Sequence, residues 1–186
     1  MPDAKKKFWE GLRMSKIQNN KMRIVVNRNG FMEQFALSSL VRQAQLLARR
    51  AMEKDLRYLK ITPVQAAIFV FIEILGERAT PSNLAKHMLM SRPSMCALLN
   101  RMERYGYVKK TQNLKRKRSI CIKFTPEGLR IFNEIKKHFT HEVYGKLSDK
   151  EIERIKHYTL IIRNRAASAL GIDPHDIPFP PMSYLY

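Results

Sequence analysis

The sequence predicts a mainly α protein with a small β-wing, a winged helix-turn-helix domain flanked by long dimerisation helices. Three observations carry this. Two short helices, each with its own start signal, are joined by Met88-Leu89-Met90, the length of turn that a helix-turn-helix uses. The helical period then gives way to two short segments that read as strands, the second alternating at Ile120, Ile122 and Phe124. Between those segments lies a run of four cations, Lys115 to Arg118, which reads as the tip of a hairpin.

The 186 residues correspond to about one domain with tails, and 45% are hydrophobic, which excludes a wholly disordered basic chain. The net charge of +19 points to a polyanionic partner, nucleic acid or an anionic membrane. That charge is not spread evenly. Residues 1–30 carry a net +6 and residues 101–123 a net +8. The larger block falls on a polar hairpin with no apolar face beside it, so no membrane partner is expected. The most apolar run, Ala66 to Ile72, stops at Glu73 and is too short to span a bilayer. The basic start at Lys5-Lys6-Lys7 is not followed by the apolar core of a signal peptide. With only Cys96 and Cys121, no disulfide framework is available, and a reducing cytoplasmic setting is the expectation.

Three regions follow: a basic extension over 1–30, a helical and winged body over 31–171, and a Pro- and aromatic-rich tail over 172–186. In the extension, Phe8, Trp9, Leu12, Met14 and Ile17 could form one short amphipathic helix. A helix is predicted from about Glu33 to Lys54, with Leu37, Leu40, Val41, Ala44, Leu47, Ala48 and Ala51 on one stripe. Phe35, Leu46 and Met52 lie off that stripe, so the helix needs more than one partner surface. Thr62-Pro63-Val64-Gln65 is a capping box with proline at the first helical position, and Gly76 ends that helix. Thr80-Pro81 repeats the start for a short helix to His87, and Ser91 opens a third helix running from Arg92 to Tyr105. Strands are expected over Tyr107–Gln112 and Ser119–Phe124. Thr125-Pro126 begins a helix reaching about Val143, and Ser148-Asp149-Lys150-Glu151 caps a last helix to Leu170. The tail, with Pro174, Pro178, Pro180 and Pro181, reads as an extended segment.

In a helix-turn-helix the second helix enters the major groove. On the helix from Arg92, the residues Met95, Leu98, Leu99 and Met102 recur at core spacing. Pro93, Ser94, Ala97, Asn100, Arg101 and Arg104 fall on the other side. That face has small residues for close approach, hydroxyl and amide groups for base edges, and arginines for guanine or phosphate. Ser91, Arg92, Lys115, Arg116, Lys117 and Arg118 complete the predicted DNA-binding set. Arg118 is the favoured residue for a narrow minor groove, whose potential attracts arginine.

The stretch from Ile61-Thr62-Pro63 to Phe124-Thr125-Pro126-Glu127-Gly128 resembles the MarR family of winged-helix transcription regulators. The strongest matches are Leu84-Ala85, Ser91-Arg92-Pro93-Ser94-Met95, and Leu99-Asn100-Arg101-Met102 through Tyr105-Gly106-Tyr107-Val108. The family's wing pattern is Asp-x-Arg; Arg118 matches its arginine, while Arg116 occupies the acidic position and makes this tip more basic. The resemblance implies a homodimer built from the first and last helices. It also implies a pseudo-palindromic double-stranded operator and a repressor released by a small-molecule effector. Its half-sites would lie roughly 34–36 Å apart. The effector cleft would lie near the first helix and the helices starting at Pro63 and Pro126, with Phe35, Phe69 and Phe132 as candidate lining residues, although plain core is the stronger reading at each.

Other chemistry finds little support. His138, His141 and Glu142 share one helix but have no evident further ligand, so no metal is predicted. Neighbouring cations could lower the pKa of Cys96 or Cys121 and create a redox switch, although a buried thiol is the simpler reading. No glycine cluster, carboxylate pair or nucleophile–base arrangement suggests catalysis, so neither an enzyme nor a cofactor is expected. The rival reading is a non-sequence-specific binder, nucleoid- or RNA-associated, which would show a steep salt dependence without base preference. The sequence shows no aromatic RNA-binding signature.

Overall fold

The computed structural model describes residues 30–112, 120–138 and 143–178. The chain divides into two compact units, residues 1–41 and 42–186. The described part of the first unit is the opening of helix α1, Phe31–Leu56, which runs across the division. There Phe31 and Phe35 stack with ring centroids 6.4 Å apart, and both are well exposed.

The second unit holds α2, Pro63–Leu75, α3, Pro81–His87, and α4, Arg92–Arg104, then strands β1, Val108–Gln112, and β2, Ile120–Phe124. Helices α5, Pro126–His138, and α6, Asp149–Ala169, follow. Three consecutive helices begin in the same way. The hydroxyls of Thr62, Thr80 and Ser91 accept from the amides of Gln65, Asn83 and Ser94, each at 3.2 Å, with proline in the first turn. Such caps satisfy helix-end donors that otherwise lack partners. At α2 the box closes: the Gln65 side-chain oxygen accepts from the Thr62 amide at 2.8 Å, which lets this glutamine sit buried.

The core is formed by Ile68, Phe69 and Ile72 of α2, Leu84 and Ala85 of α3, and Met95, Leu99 and Met102 of α4. Val108 and Ile122 of the wing and Ile131, Phe132 and Ile135 of α5 close it. The strands pair antiparallel, Val108 opposite Phe124 and Gln112 opposite Ile120. The Ile122 amide also donates to the Ala79 carbonyl at 2.8 Å, tying the wing to the segment before α3. Phe124 stacks between Phe69 at 5.7 Å and Phe132 at 5.2 Å, joining α2, β2 and α5. In the α3–α4 turn, Leu89 takes a left-handed backbone conformation with φ 50°, and the amide of Met90 donates to Ala85 at 2.9 Å.

Two expectations need correction. Val143 lies in a turn rather than on the stripe of the helix from Pro126, whose described residues run to His138. The beginning of the tail is not extended. Pro174–Asp176 form a 3₁₀ turn capped by Asp173, whose carboxylate accepts from the His175 amide at 2.8 Å. The predicted short helix within 1–30 and the wing tip 113–119 lie outside the described residues. So do residues 139–142, the His138 side chain and 179–186.

Candidate nucleic-acid interface

Burial divides α4 into two faces. Met95, Leu99 and Met102 are fully buried and Leu98 is half-buried. Ser91, Arg92, Pro93, Ser94, Ala97, Asn100, Arg101 and Arg104 are all exposed. The apolar side fixes the helix against α3 and β1, so the polar side is presented on a rigid support. At its beginning the Ser91 and Ser94 hydroxyls lie 2.8 Å apart and share a hydrogen bond. Arg92, Arg101 and Arg104 have no hydrogen bond or ion pair among the described residues, so their guanidinium donors are open to a ligand. Lys115, Arg116, Lys117 and Arg118 lie outside the described residues; the ends of the strands that carry them, Gln112 and Ile120, are paired and exposed.

Sequence reasoning missed one group. The Lys110 ammonium, on β1, donates to the Asn100 side-chain oxygen and to Glu103 Oε2, each at 2.6 Å. The Lys110 amide donates to Glu103 Oε1 at 3.3 Å. The ammonium's hydrogen bond and charge hold the Glu103 carboxyl below the usual carboxylate range. A signal was present: Glu103 is the lone acid in the block 101–123, among nine cations. A second pair braces the other strand, with Lys123 Nζ 2.7 Å from Glu77.

Cys121 is buried, and its Sγ lies 3.6 Å from the Gly76 carbonyl. Burial pushes its thiol pKa up and Glu77 adds to the rise, outweighing the opposing pull of Lys123. At Cys121 the buried-thiol reading therefore holds over a lowering by nearby cations. Cys96, on α4, is half-buried. At the end of α3, burial and then the Arg78 charge push the His87 pKa down, and its ring packs 5.0 Å from Phe71.

Among the described residues of the second unit, two cavities stand out. The larger, about 750 Å³, lies between the α3–α4 turn and the C-terminal end of α6, and is mostly apolar. Ala85, Leu89, Met90, Ala167, Leu170 and Ile177 line it, together with Lys86, Arg92 and Arg163. The smaller, about 390 Å³, is lined by Tyr58, Leu59, Tyr107, Glu127, Arg130 and Ile131. Phe69 and Phe132 line neither; both are buried in the aromatic stack with Phe124.

The MarR family model matches residues 59–119, from just after α1 to the residue before β2. That match covers 61 of the 186 residues. Solved structures of MarR-family regulators share the chain's architecture, a helical body with a two-stranded wing. A mutant MarR from E. coli complexed with operator DNA is 22% identical, with TM-score 0.60 over 71% of this chain and 96% of that one. The organohalide-sensing regulator RdhR in its 2,4-dichlorophenol bound form is 20% identical, with TM-score 0.67 over 92% of this chain and 99% of that one. CouR from Rhodococcus jostii bound to p-coumaroyl-CoA is 17% identical, with TM-score 0.62 over 68% and 90%. No curated protein matches the chain in sequence. Among the described residues no single helix is long and apolar enough to cross a membrane.

Proposed function

We propose that the protein is a cytoplasmic, sequence-specific DNA-binding transcriptional repressor that acts as a homodimer and is released from DNA by a small molecule. The observation that carries this is the polarity of α4. Every residue predicted to face DNA on that helix is exposed, and its core-facing methionines and leucine at 95, 99 and 102 are fully buried. Ser91, Ser94, Asn100 and Arg101 would meet base edges, Pro93 and Ala97 would allow close approach, and Arg92 and Arg104 would hold phosphates. Lys115, Arg116 and Lys117 would follow the backbone beside the minor groove, with Arg118 inserted. The operator complex of the E. coli relative supports this use of the fold. We propose no catalytic role, cofactor or metal.

The dimer reading rests on uncovered apolar surface. Leu37, Leu40 and Leu47 of α1 and Ile155, Tyr158 and Ile162 of α6 are all more than 40% exposed. Long helices with such faces are covered by association. The larger cavity is the favoured effector site. It touches Arg92 and the turn that sets α4, so a molecule lodged there would bear directly on the reading helix. The ligand-bound RdhR and CouR structures support an effector in this fold. The smaller cavity, near the ends of α1 and β1, is closer to where the sequence placed the cleft.

A second reading, a general nucleic-acid binder, is favoured by the net +6 on residues 1–30, outside the matched segment. One experiment decides between them: sequencing genomic DNA retained by the purified full chain at physiological salt. A recurring motif with two-fold symmetry is the expected result. Retention spread over the genome without a motif would overturn the repressor reading.

A further inference from the structure

Asn100 is the sole carboxamide on the exposed face of α4. A free asparagine in the major groove pairs with adenine through two bonds. Its oxygen accepts from adenine N6 and its amino group donates to N7. Here the oxygen is engaged. Lys110 Nζ lies 2.6 Å from Asn100 Oδ1, and an ammonium can only donate. The amide orientation is therefore fixed by chemistry: the oxygen turns towards β1 and the NH2 group points away from it. Lys110 is itself held, by 2.6 Å to Glu103 Oε2 and by its backbone amide to Oε1. Glu103 stands three residues from Asn100 on the same helix, so helix and wing strand lock the amide between them.

We propose that Lys110, positioned by Glu103, sets the base preference of Asn100 by making it a donor. Asn100 then favours an acceptor edge, guanine N7 and O6 or thymine O4, over adenine. The inference rests on the DNA-reading role proposed above for α4. Lys110 is a positioning residue: it acts on the base through Asn100. It also gives the lone acid of the basic block a purpose, since without Glu103 the ammonium would be drawn to the nearest phosphate.

The test is selection of duplexes from a randomised pool by the full-length wild type, Asn100→Ala, Lys110→Met and Glu103→Gln. Asn100→Ala locates the position that the amide reads, by flattening its preference. The wild type is expected to select guanine or thymine there. Lys110→Met frees the oxygen and is expected to raise adenine at that position about tenfold relative to guanine, with Glu103→Gln moving the same way by less. Lys110 is about one-third exposed, so its replacement by methionine should leave the fold intact, and a thermal melt checks this. If Lys110→Met weakens binding evenly and leaves every base preference unchanged, Lys110 is a phosphate contact and the proposal is wrong. A wild type selecting adenine at the Asn100 position would also overturn it. A wild type selecting no motif would overturn the repressor reading and this proposal with it.

Discussion

Gly128 offers a case in which two physical effects predict opposite signs. It is the third residue of α5, where alanine normally stabilises a helix by up to about 1 kcal/mol over glycine. Here the start of α5 lies directly against the backbone of Tyr107. The Thr125 amide donates to the Tyr107 carbonyl at 3.2 Å, and its hydroxyl reaches the Gly106 and Tyr107 carbonyls while accepting from the Gly128 amide at 3.0 Å. A β-carbon at Gly128 would come within 1.8 Å of the Tyr107 carbonyl oxygen. Ordinary contact begins near 3.4 Å, so helix and chain would have to separate by roughly 1.6 Å. The obstacle is backbone and cannot change rotamer. Overpacking of this kind costs about 1–3 kcal/mol, and the separation would also weaken the Thr125 hydrogen bonds, each worth about 1 kcal/mol. Gly128→Ala should therefore destabilise by about 3 kcal/mol, lowering Tm by roughly 6–12 °C for a chain of this size. Thermal unfolding at fixed protein concentration, required for an associating protein, reads the change. Gly106→Ala is the comparison. A β-carbon there meets nothing within 4 Å, and φ of +71° leaves only conformational strain, about 1–2 kcal/mol. If Gly128→Ala melts at or above the wild-type temperature, or loses no more than Gly106→Ala, the close-approach argument fails.

Arg101→Ala should lower DNA affinity and flatten preference at one operator position by about 1–3 kcal/mol if the guanidinium reads a base; an even loss across sequences would make it a phosphate contact. Ile162→Glu places a charge in the exposed apolar face of α6 and should shift sedimentation from dimer to monomer, whereas an unchanged dimer would place the interface elsewhere. The Glu103 carboxyl is held below its ordinary range by Lys110. Its stabilisation is therefore present above the unfolded carboxylate pKa and disappears as pH falls through the lower folded value. The stability difference between wild type and Glu103→Gln, a few tenths of a kcal/mol for so exposed a pair, should close on acidification below pH ~4. A difference independent of pH would show that the ion pair contributes nothing.

The elements were legible because their signals are local. Three Ser/Thr caps with proline behind them mark α2, α3 and α4 within a residue or so, and the alternation of Ile120, Ile122 and Phe124 marks the returning strand. The two faces of α4 follow from helical spacing alone. What stayed hidden depends on register and approach between distant segments. No local pattern says that Lys110 reaches Asn100, because this requires the angle between α4 and β1. None says that Gly128 abuts Tyr107, since a helical glycine reads as a weakness until its neighbour is placed. Phe69 and Phe132 lie 63 positions apart and are joined by Phe124 only in the folded core. The resemblance suggested a ligand cleft, but burial places both in packing. Val143 continues the helical spacing of α5 but lies in a turn, and spacing alone cannot tell a helix from a turn that keeps the same phase.

The charge of the winged region also needs dividing by partner. Residues 101–123 hold nine cations, but an ion's contribution to polyanion affinity comes from counterions released at phosphates. Lys110 and Lys123 are already neutralised, by Glu103 and Glu77 at 2.6 and 2.7 Å. Both pairs connect the strands to the body of the domain, and the Ile122–Ala79 hydrogen bond lies between them. These two lysines brace the wing, while Arg101, Arg104 and Lys109 are exposed without a described acidic partner. The two classes should separate in a salt titration of DNA binding. Removing a phosphate contact lowers the slope of log affinity against log salt by about 1 per contact. Arg104→Gln should do this once for each protomer, and Lys123→Gln should leave the slope unchanged while loosening the wing. Equal slopes lost from both variants would mean that the Glu77 pair opens on DNA, and that the brace is a feature of the free protein alone.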